Sequence, residues 1–378
     1  MRIVSIVSVL LLFLGAYFYT IHRIWQMMPP SPIGRILLIL FAVIALVSPF
    51  VALALGERIP DSLTGFLYRL GTSWLIIFLY LLIILLVADL IRVTNLLPIA
   101  KYMHHSVAGL AGLLVIIVLL IGSGYLVYQN KKRVELDISA SATGIKTAQA
   151  TGTKVMPTNG LKVVFISDLH LGYSIGKREL QGWIDMINKE SPDIVLIGGD
   201  LIDNSARILL KYDFADVFDG LKTKYGVFAV PGNHEYISGI EKSVEFYNKS
   251  GITLLRDSSV LINNDIYIIG RDDRSNHARK SLSDLMQEID RSKPTILLDH
   301  QPLGLDEAQN NGIDMQLSGH THRGQVWPIS LITKLMFESE YGASSKGDTQ
   351  YYVSSGLGIW GGKFRIGTRS EYVVININ

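Results

Sequence analysis

Four apolar runs, at residues 3–21, 33–55, 72–91 and 107–128, constrain this 378-residue chain more than any other feature. Each reaches or approaches the ~20 residues that an α-helix needs to cross a hydrocarbon core. Residues 1–130 carry only ten charged side chains: Arg2, Arg23, Arg35, Glu57, Arg58, Asp61, Arg69, Asp89, Arg92 and Lys101. Four such runs in series have too few polar faces to meet water, so a region of four transmembrane helices is expected. Arg2 before an apolar stretch is compatible with a secretory signal. No small-x-small cleavage site follows, and a retained helix is expected. Tyr17, Tyr19, Trp25, Trp74, Tyr125 and Tyr128, near the run boundaries, suit the membrane–water interface. Asp89 is expected beside Arg92, one helical turn away. The glycines at 109, 112, 122 and 124 are expected to permit close helix packing. The chain is thus expected to be a multi-pass protein of the cell membrane. With the N-terminus inside, the inner segments hold Arg2, Arg58, Arg69, Lys131, Lys132 and Arg133; the opposite arrangement gives Arg23, Arg35, Arg92 and Lys101. That small excess favours a cytoplasmic catalytic domain and leaves the side open.

Beyond residue 130 the charge content becomes that of an ordinary soluble domain. Residues 131–160 are polar and small, and read as a linker with an edge strand at 133–138. From 161 to 378 short apolar runs alternate with helical spacing. Strands are expected at 162–167, 193–197, 226–230, 253–255, 260–262, 266–270, 295–298, 315–317, 350–354 and 372–377. Helices are expected at 177–189, 206–221, 240–249 and 282–289. This alternation implies an α/β layer architecture with sheets buried between helices, whose sites gather at the carboxyl ends of strands. A net charge of +2, with no basic run interleaved with aromatics, argues against a nucleic-acid partner. The absence of cysteine excludes disulfide and thiolate chemistry.

Five strand ends carry side chains of metal-binding type. They are Asp168-Leu169-His170, Gly199-Asp200-Leu201-Ile202-Asp203, Gly232-Asn233-His234-Glu235, Asp299-His300, and Gly319-His320-Thr321-His322. Attack on phosphorus near neutral pH needs a hydroxide, and a divalent ion lowers the pKa of bound water by many units. Two ions ~3.5–4 Å apart can share that hydroxide and clamp attacking and leaving oxygens, given a carboxylate that bridges them. Mixed nitrogen and oxygen ligands without thiolate suit Mn, Fe or Zn. Asp-x-His and His-x-His would place alternate side chains on one side of an extended segment. Glycines beside Asp200, Asn233 and His320 leave room for backbone to come close.

In this order the five elements resemble the calcineurin-like metallophosphoesterases. The sequence from Gly319 to Pro328, with Ser354-Ser355-Gly356-Leu357-Gly358 and Arg365-Ile366-Gly367, looks like their bacterial membrane-associated branch. The resemblance covers about residues 161–378 and implies a four-layer α/β/β/α sandwich. It also implies roles: Asp168, His170 and His322 on one divalent metal, Asn233, His300 and His320 on the other, and Asp200 bridging them. His234 would protonate the leaving oxygen or stabilise charge on the phosphorus centre, and Asp203 would orient it. A helix cap is the alternative for Asp203. Asn204 stands where protein Ser/Thr phosphatases of this family carry a phosphate-binding Arg, so a protein phosphatase is not expected. Arg323, beside two ligands, would contact a substrate phosphate or form a structural salt bridge. The expected activity is that of a phosphodiesterase or phosphomonoesterase at the membrane, with a hydroxide bridging the metals as nucleophile. The alternative is a pyrophosphatase of a nucleotide-sugar or lipid-linked diphosphate. The expected partners are a phosphorylated small-molecule or lipid substrate and membrane lipids. A receptor or scaffold built on an inactive hydrolase domain would lack ligands, and none is missing.

Overall fold

The computed structural model describes residues 2–138 and 160–377; the expected linker at 139–159 lies outside the described residues. The chain forms two compact units, Met1–Tyr125 with Gly361–Lys363, and Leu126–Trp360 with Phe364–Asn378.

The apolar runs of the first unit lie on four helices, α1 (Arg2–Met27), α2 (Pro32–Leu55), α3 (Asp61–Thr94) and α4 (Val107–Gln129), of which α4 runs into the second unit. Each is long and apolar enough to cross a membrane. Ser31 starts α2 by accepting the Gly34 N–H at 3.2 Å, with Pro32 as the first helical residue. At 34 residues α3 is much longer than its apolar run, about 51 Å at helical rise. Its first turns are too polar to register by hydropathy, yet Thr64 and Tyr68 there are buried. Asp89 meets Arg92 at 3.3 Å as expected. It is held more fully by α1, whose Arg23 Nε donates to Asp89 at 2.7 Å while the Tyr19 hydroxyl donates at 2.6 Å. Two aromatic rings expected at the interface are buried in the bundle instead. Trp74 Nε1 donates to the Tyr17 hydroxyl at 2.9 Å, and that hydroxyl donates to the Ala42 carbonyl at 2.6 Å. A polar tip needs a partner once buried, and these rings supply each other's. Of the α4 glycines, Gly109 is closely approached by the Tyr102 carbonyl, whereas Gly112 and Gly122 face open space rather than a packed helix.

The inner strands of the second unit are apolar at most positions, because both faces of each sheet are covered there. The strands are β1 (Lys132–Ile138), β2 (Leu161–Ile166), β3 (Ile194–Ile197), β4 (Val227–Ala229), β5 (Thr253–Leu254), β6 (Ser258–Ile262), β7 (Ile266–Gly270), β8 (Thr295–Leu298), β9 (Met315–Ser318), β10 (Gly342–Lys346), β11 (Thr349–Val353) and β12 (Glu371–Ile377). Six form one sheet in the order β1-β12-β2-β3-β4-β5, and six the other in the order β10-β11-β9-β8-β7-β6. β2 through β5 run parallel, as do β7, β8, β9 and β11, so the carboxyl ends of the strands collect on one side of each sheet. β1 is the expected edge strand, paired in parallel with β12.

Alternation along β2 shows the layering. Val163 and Phe165 face a shared core with Ile268, Ile296, Leu298 and Leu317 of the other sheet. Val164 and Ile166 face outward onto Leu180, Trp183, Ile184 and Ile187 of α5 (Lys177–Lys189). Beyond the second sheet, Ile269 and Leu297 pack on Leu282, Leu285 and Met286. These are the four layers α/β/β/α. Tyr128, expected at an interface, is fully buried in the outer core beside Trp183 and Tyr372.

Local differences concern polar segments. The helix expected over 206–221 is two, α6 (Ala206–Lys211) and α7 (Ala215–Phe218), broken where Asp213 adopts a left-handed φ of 51°. Asn233–Ile237, expected as loop, is a short helix, α8, and α9 (Ile240–Lys249) follows as expected. The helix expected over 282–289 is α10 (Leu282–Leu285) followed by a 3-10 turn, and α11 (Asp306–Asn310), α12 (Ile329–Met336) and β10 were not expected. α12 buries none of its residues and β10 is a polar edge strand, so neither carries the core-facing periodicity that reveals an element.

Candidate metal centre

The strands of both sheets end at one place. Asp168 and His170 follow β2, Asp200 and Asp203 follow β3, Asn233 and His234 open α8 after β4, His300 follows β8, and His320 and His322 follow β9. The structure brings all nine expected site residues together. Candidate ligand atoms of Asp168, His170 and His322 lie within 4.8 Å of one another, as do those of Asp200, His300 and His320. In the first group His322 Nε2 is 3.0 Å from His170 Nε2 and 3.6 Å from Asp168 Oδ1. In the second, His300 Nε2 is 3.2 Å from Asp200 Oδ2, and Asn233 Oδ1 is 2.9 Å from His320 Nδ1. Asp200 Oδ2 is also 3.8 Å from His170 Nε2, so this carboxylate stands between the two groups.

The means of convergence differs from the expected extended alternation. Asp168, His170, Asp200, His320 and His322 all have positive φ, between 48° and 70°. Once the strand ladders end, the chain turns through left-handed residues held by backbone bonds, Asp168 N–H to Gly199 O and His170 N–H to Asp200 O, each 3.0 Å. Such conformations cost ~1–3 kcal/mol each for a non-glycine residue, and they gather where function demands a fixed geometry. Close approach explains two glycines. A Cβ on Gly232 would lie 2.2 Å from Asp200 Oδ1, and one on Gly319 2.4 Å from Asp168 Oδ2.

The chemistry of the cluster calls for positive charge. Asp168, His170, Asp200 and His300 are all buried. The Gly198 carbonyl, which can only accept, lies 2.7 Å from His300 Nδ1. That fixes a proton on Nδ1 and leaves Nε2 facing the Asp200 carboxylate. Among the described residues, His300 Nε2, His170 Nδ1, His322 Nδ1 and both Asp203 carboxylate oxygens have no hydrogen-bond partner. Burial works against a charge on His300, yet the neighbouring Asp200 carboxylate overrides it and pushes this imidazole well above its usual pKa. Burial also opposes charge on Asp200, but His300 outweighs it and holds that carboxylate well below its usual range. His322 is pushed well below its usual value by burial and then by His170. His320 falls to about 4 through burial and then His300. Both are therefore neutral, the ligating form of imidazole. The donor set fits two borderline divalent cations.

His234 lies at the open side. Its Nδ1 donates to the Asp203 main-chain carbonyl at 2.6 Å, which leaves Nε2 free to face a substrate. The Asp203 carboxylate sits 3.5 Å from His170 Nδ1 and 3.7 Å from His234 Nδ1. The contact expected to orient His234 is thus made by the carbonyl, while the carboxylate also faces His170. The helix-cap alternative does not hold, since Ser205 takes that position on α6. Arg323 forms no salt bridge among the described residues; its guanidinium lies over the Tyr341 ring, 4.4 Å from the centroid.

Two further residues shape the site. Glu235 is buried and accepts N–H bonds from Gly232, Ile202 and Asp200 at 2.6, 3.0 and 3.1 Å, tying the β3 and β4 loops together. Its place in Gly-Asn-His-Glu was the signal. Arg365 is fully buried and donates to the carbonyls of His322 and Ser355, both at 2.6 Å, and of Gly358 at 3.1 Å. No local pattern marks it, because its main partner is 43 residues away.

The family profile described as Calcineurin-like phosphoesterase matches residues 161–324, a span that contains all nine site residues. A metallophosphoesterase of Helicobacter pylori is 36% identical over 225 residues, covering 57% of this chain and 59% of that protein. One of Aquifex aeolicus is 33% identical over 224 residues, 57% of this chain and 84% of that protein. A protein of Danio rerio described as a transmembrane protein with metallophosphoesterase domain is 32% identical over 232 residues, 56% of this chain and 51% of that one. This chain belongs to the calcineurin-like phosphoesterase family. Its second unit is a metallophosphoesterase domain, of a class of phosphoester hydrolases that use divalent metals. With four helices of membrane-crossing length and composition, it is a membrane protein. The matched region spans about three-fifths of the Helicobacter relative.

Proposed function

We propose that this protein hydrolyses a phosphate monoester or diester at the membrane surface with two divalent cations. Asp168, His170 and His322 hold one, Asn233, His300 and His320 the other, and Asp200 lies between them. The observation that carries this reading is Asp200, whose Oδ2 reaches toward ligands of both groups, His300 at 3.2 Å and His170 at 3.8 Å. When bound, such ions supply Lewis acidity, lowering the pKa of a coordinated water and neutralising phosphate charge. The chain's own residues do the rest. The buried carboxylates and imidazoles that would hold the ions are fixed in place before substrate arrives. His234, its Nδ1 anchored on the Asp203 carbonyl, presents Nε2 to the leaving oxygen and, when both nitrogens are protonated, would give it the Nε2 proton and return to the neutral imidazole. Glu235 keeps the Asp200 and Asn233 loops in register. Turnover of p-nitrophenyl phosphate and bis-p-nitrophenyl phosphate by the purified full chain tests the reading. Hydrolysis of at least one, dependent on added Mn²⁺ and abolished by chelation, is expected. No turnover of either with Mn²⁺, Fe²⁺ or Zn²⁺ would overturn it.

A further inference from the structure

α12 combines two properties that rarely occur together in a soluble domain: it is mostly apolar and it buries nothing. Leu335 is 88% exposed and Met336 68%, with Leu331 and Ile332 both above half. Of the ten large hydrophobic residues exposed beyond residue 130 among the described residues, seven lie on 327–336 or at Trp360. Single exposed apolar side chains are ordinary, but a contiguous set marks a surface that meets something other than water.

What covers it follows from what it adjoins within its own unit. At its near end the Trp327 N–H donates to the Ile366 carbonyl at 2.7 Å, and Gln325 Nε2 donates to the Trp360 carbonyl at 3.1 Å. The same segment carries Leu357 and Ile359, which pack in one core with Tyr128, in the last turn of α4. The second unit thus begins within the last turns of a helix long and apolar enough to cross a bilayer. Trp327 and Trp360 are half-exposed, as suits rings at a headgroup layer. Lys334 is exposed on the same helix, and a lysine in such a place can keep its stem on apolar surface while its ammonium meets anionic headgroups. At the far end Phe337 follows directly, its ring 6.1 Å from that of the candidate ligand His320.

The geometry points to α12 as an interfacial helix, beside the metal centre, that seats its apolar face in the headgroup layer of a membrane. This inference rests on the hydrolase reading for its second consequence: the phosphoester is carried by a lipid of that bilayer and reaches His320 and His322 along α12. A lipid held there keeps its acyl chains in the membrane while its phosphate enters the site, so no apolar tail has to pass through water.

The chain has no cysteine, so one introduced thiol can be labelled alone. Leu335→Cys in the full chain, labelled with an environment-sensitive fluorophore and reconstituted in phosphatidylcholine vesicles, is compared with Lys249→Cys on the exposed surface of α9. Lipids doxyl-labelled near the headgroup should quench the Leu335→Cys label several-fold more than the Lys249→Cys label. Equal quenching overturns the interfacial helix. So does disulfide formation between the unlabelled Leu335→Cys thiols of two copies under mild oxidation, with no lipid quenching of the labelled protein, which would make the occupant a second chain. Release of phosphate from phosphatidic acid in the same vesicles, reduced at least tenfold by Leu331→Asp with Leu335→Asp while soluble p-nitrophenyl ester turnover is kept, supports lipid delivery. Soluble turnover with no release from the vesicles, or an equal fall in both, overturns it. Failure of soluble turnover itself strikes the hydrolase reading and leaves the quenching result to stand alone.

Discussion

His170 and His322, 152 residues apart in the chain, face each other with their Nε2 atoms 3.0 Å apart. Burial and His170 keep His322 well below its usual pKa, so a neutral imidazole is packed against His170 and the buried Asp168 carboxylate. A cation relieves that arrangement, and its removal should weaken the folded state. At free metal a thousandfold above the dissociation constant, the linkage stabilises the fold by about 4 kcal/mol. Chelation should therefore lower the thermal midpoint of the second unit, followed by near-UV circular dichroism, by roughly 10 °C, and Mn²⁺ should restore it. An unchanged midpoint would count against a resident metal.

The chelated protein should also become acid-sensitive at His320. Its pKa is held near 4, mainly by burial, against an ordinary 6.5. The folded state therefore binds fewer protons than the unfolded state between these values. The stability contributed by the neutral imidazole is complete above pH 6.5 and is lost as pH falls toward 4, by up to ~3 kcal/mol. Urea unfolding of the chelated protein and its His320→Gln variant should diverge in this window, the wild-type chain losing more. Parallel curves would refute it.

Much of this was legible in the residues themselves. The layers follow from short apolar strands alternating with helices, and β7, β8 and the helices at 177–189 and 240–249 lie where spacing placed them. The convergence of nine site residues followed from motifs at strand ends. The left-handed turns did not, because Asp and His carry no local signal for positive φ; only tertiary bonds such as Asp168 N–H to Gly199 O impose it. The ion pair of Arg23 with Asp89, the burial of Tyr17 against Trp74, and the grip of Arg365 on His322 were equally hidden, since each depends on a residue distant in sequence. An exposed helix such as α12 leaves no inward face to detect.

His234 should separate catalysis from metal binding. His234→Ala should lower kcat by roughly 10²–10⁴-fold with metal content unchanged. An alkyl phosphate, whose leaving oxygen needs the proton, should lose far more than a p-nitrophenyl ester. An equal loss for both would remove His234 as the proton donor.

Arg365 holds the strand-end loop of His322 from behind. Its pKa is lowered by burial only to about 10, so it stays charged while bonded to three carbonyls. Arg365→Met would strand those carbonyls in the core and should cost about 3–5 kcal/mol, seen as a lower urea midpoint. A change under about 1 kcal/mol would show that the loop holds itself.

The most direct test is the metal count and magnetic coupling of the purified full chain loaded with Mn²⁺. Two ions per chain are predicted, giving the electron paramagnetic resonance signature of a coupled pair at the ~3.5–4 Å typical of such sites. Asp200→Asn, which weakens the group between them, should abolish the coupling and at least one equivalent of metal. One isolated ion in the wild-type chain, or an Asp200→Asn variant with unchanged metal and coupling, would contradict the account.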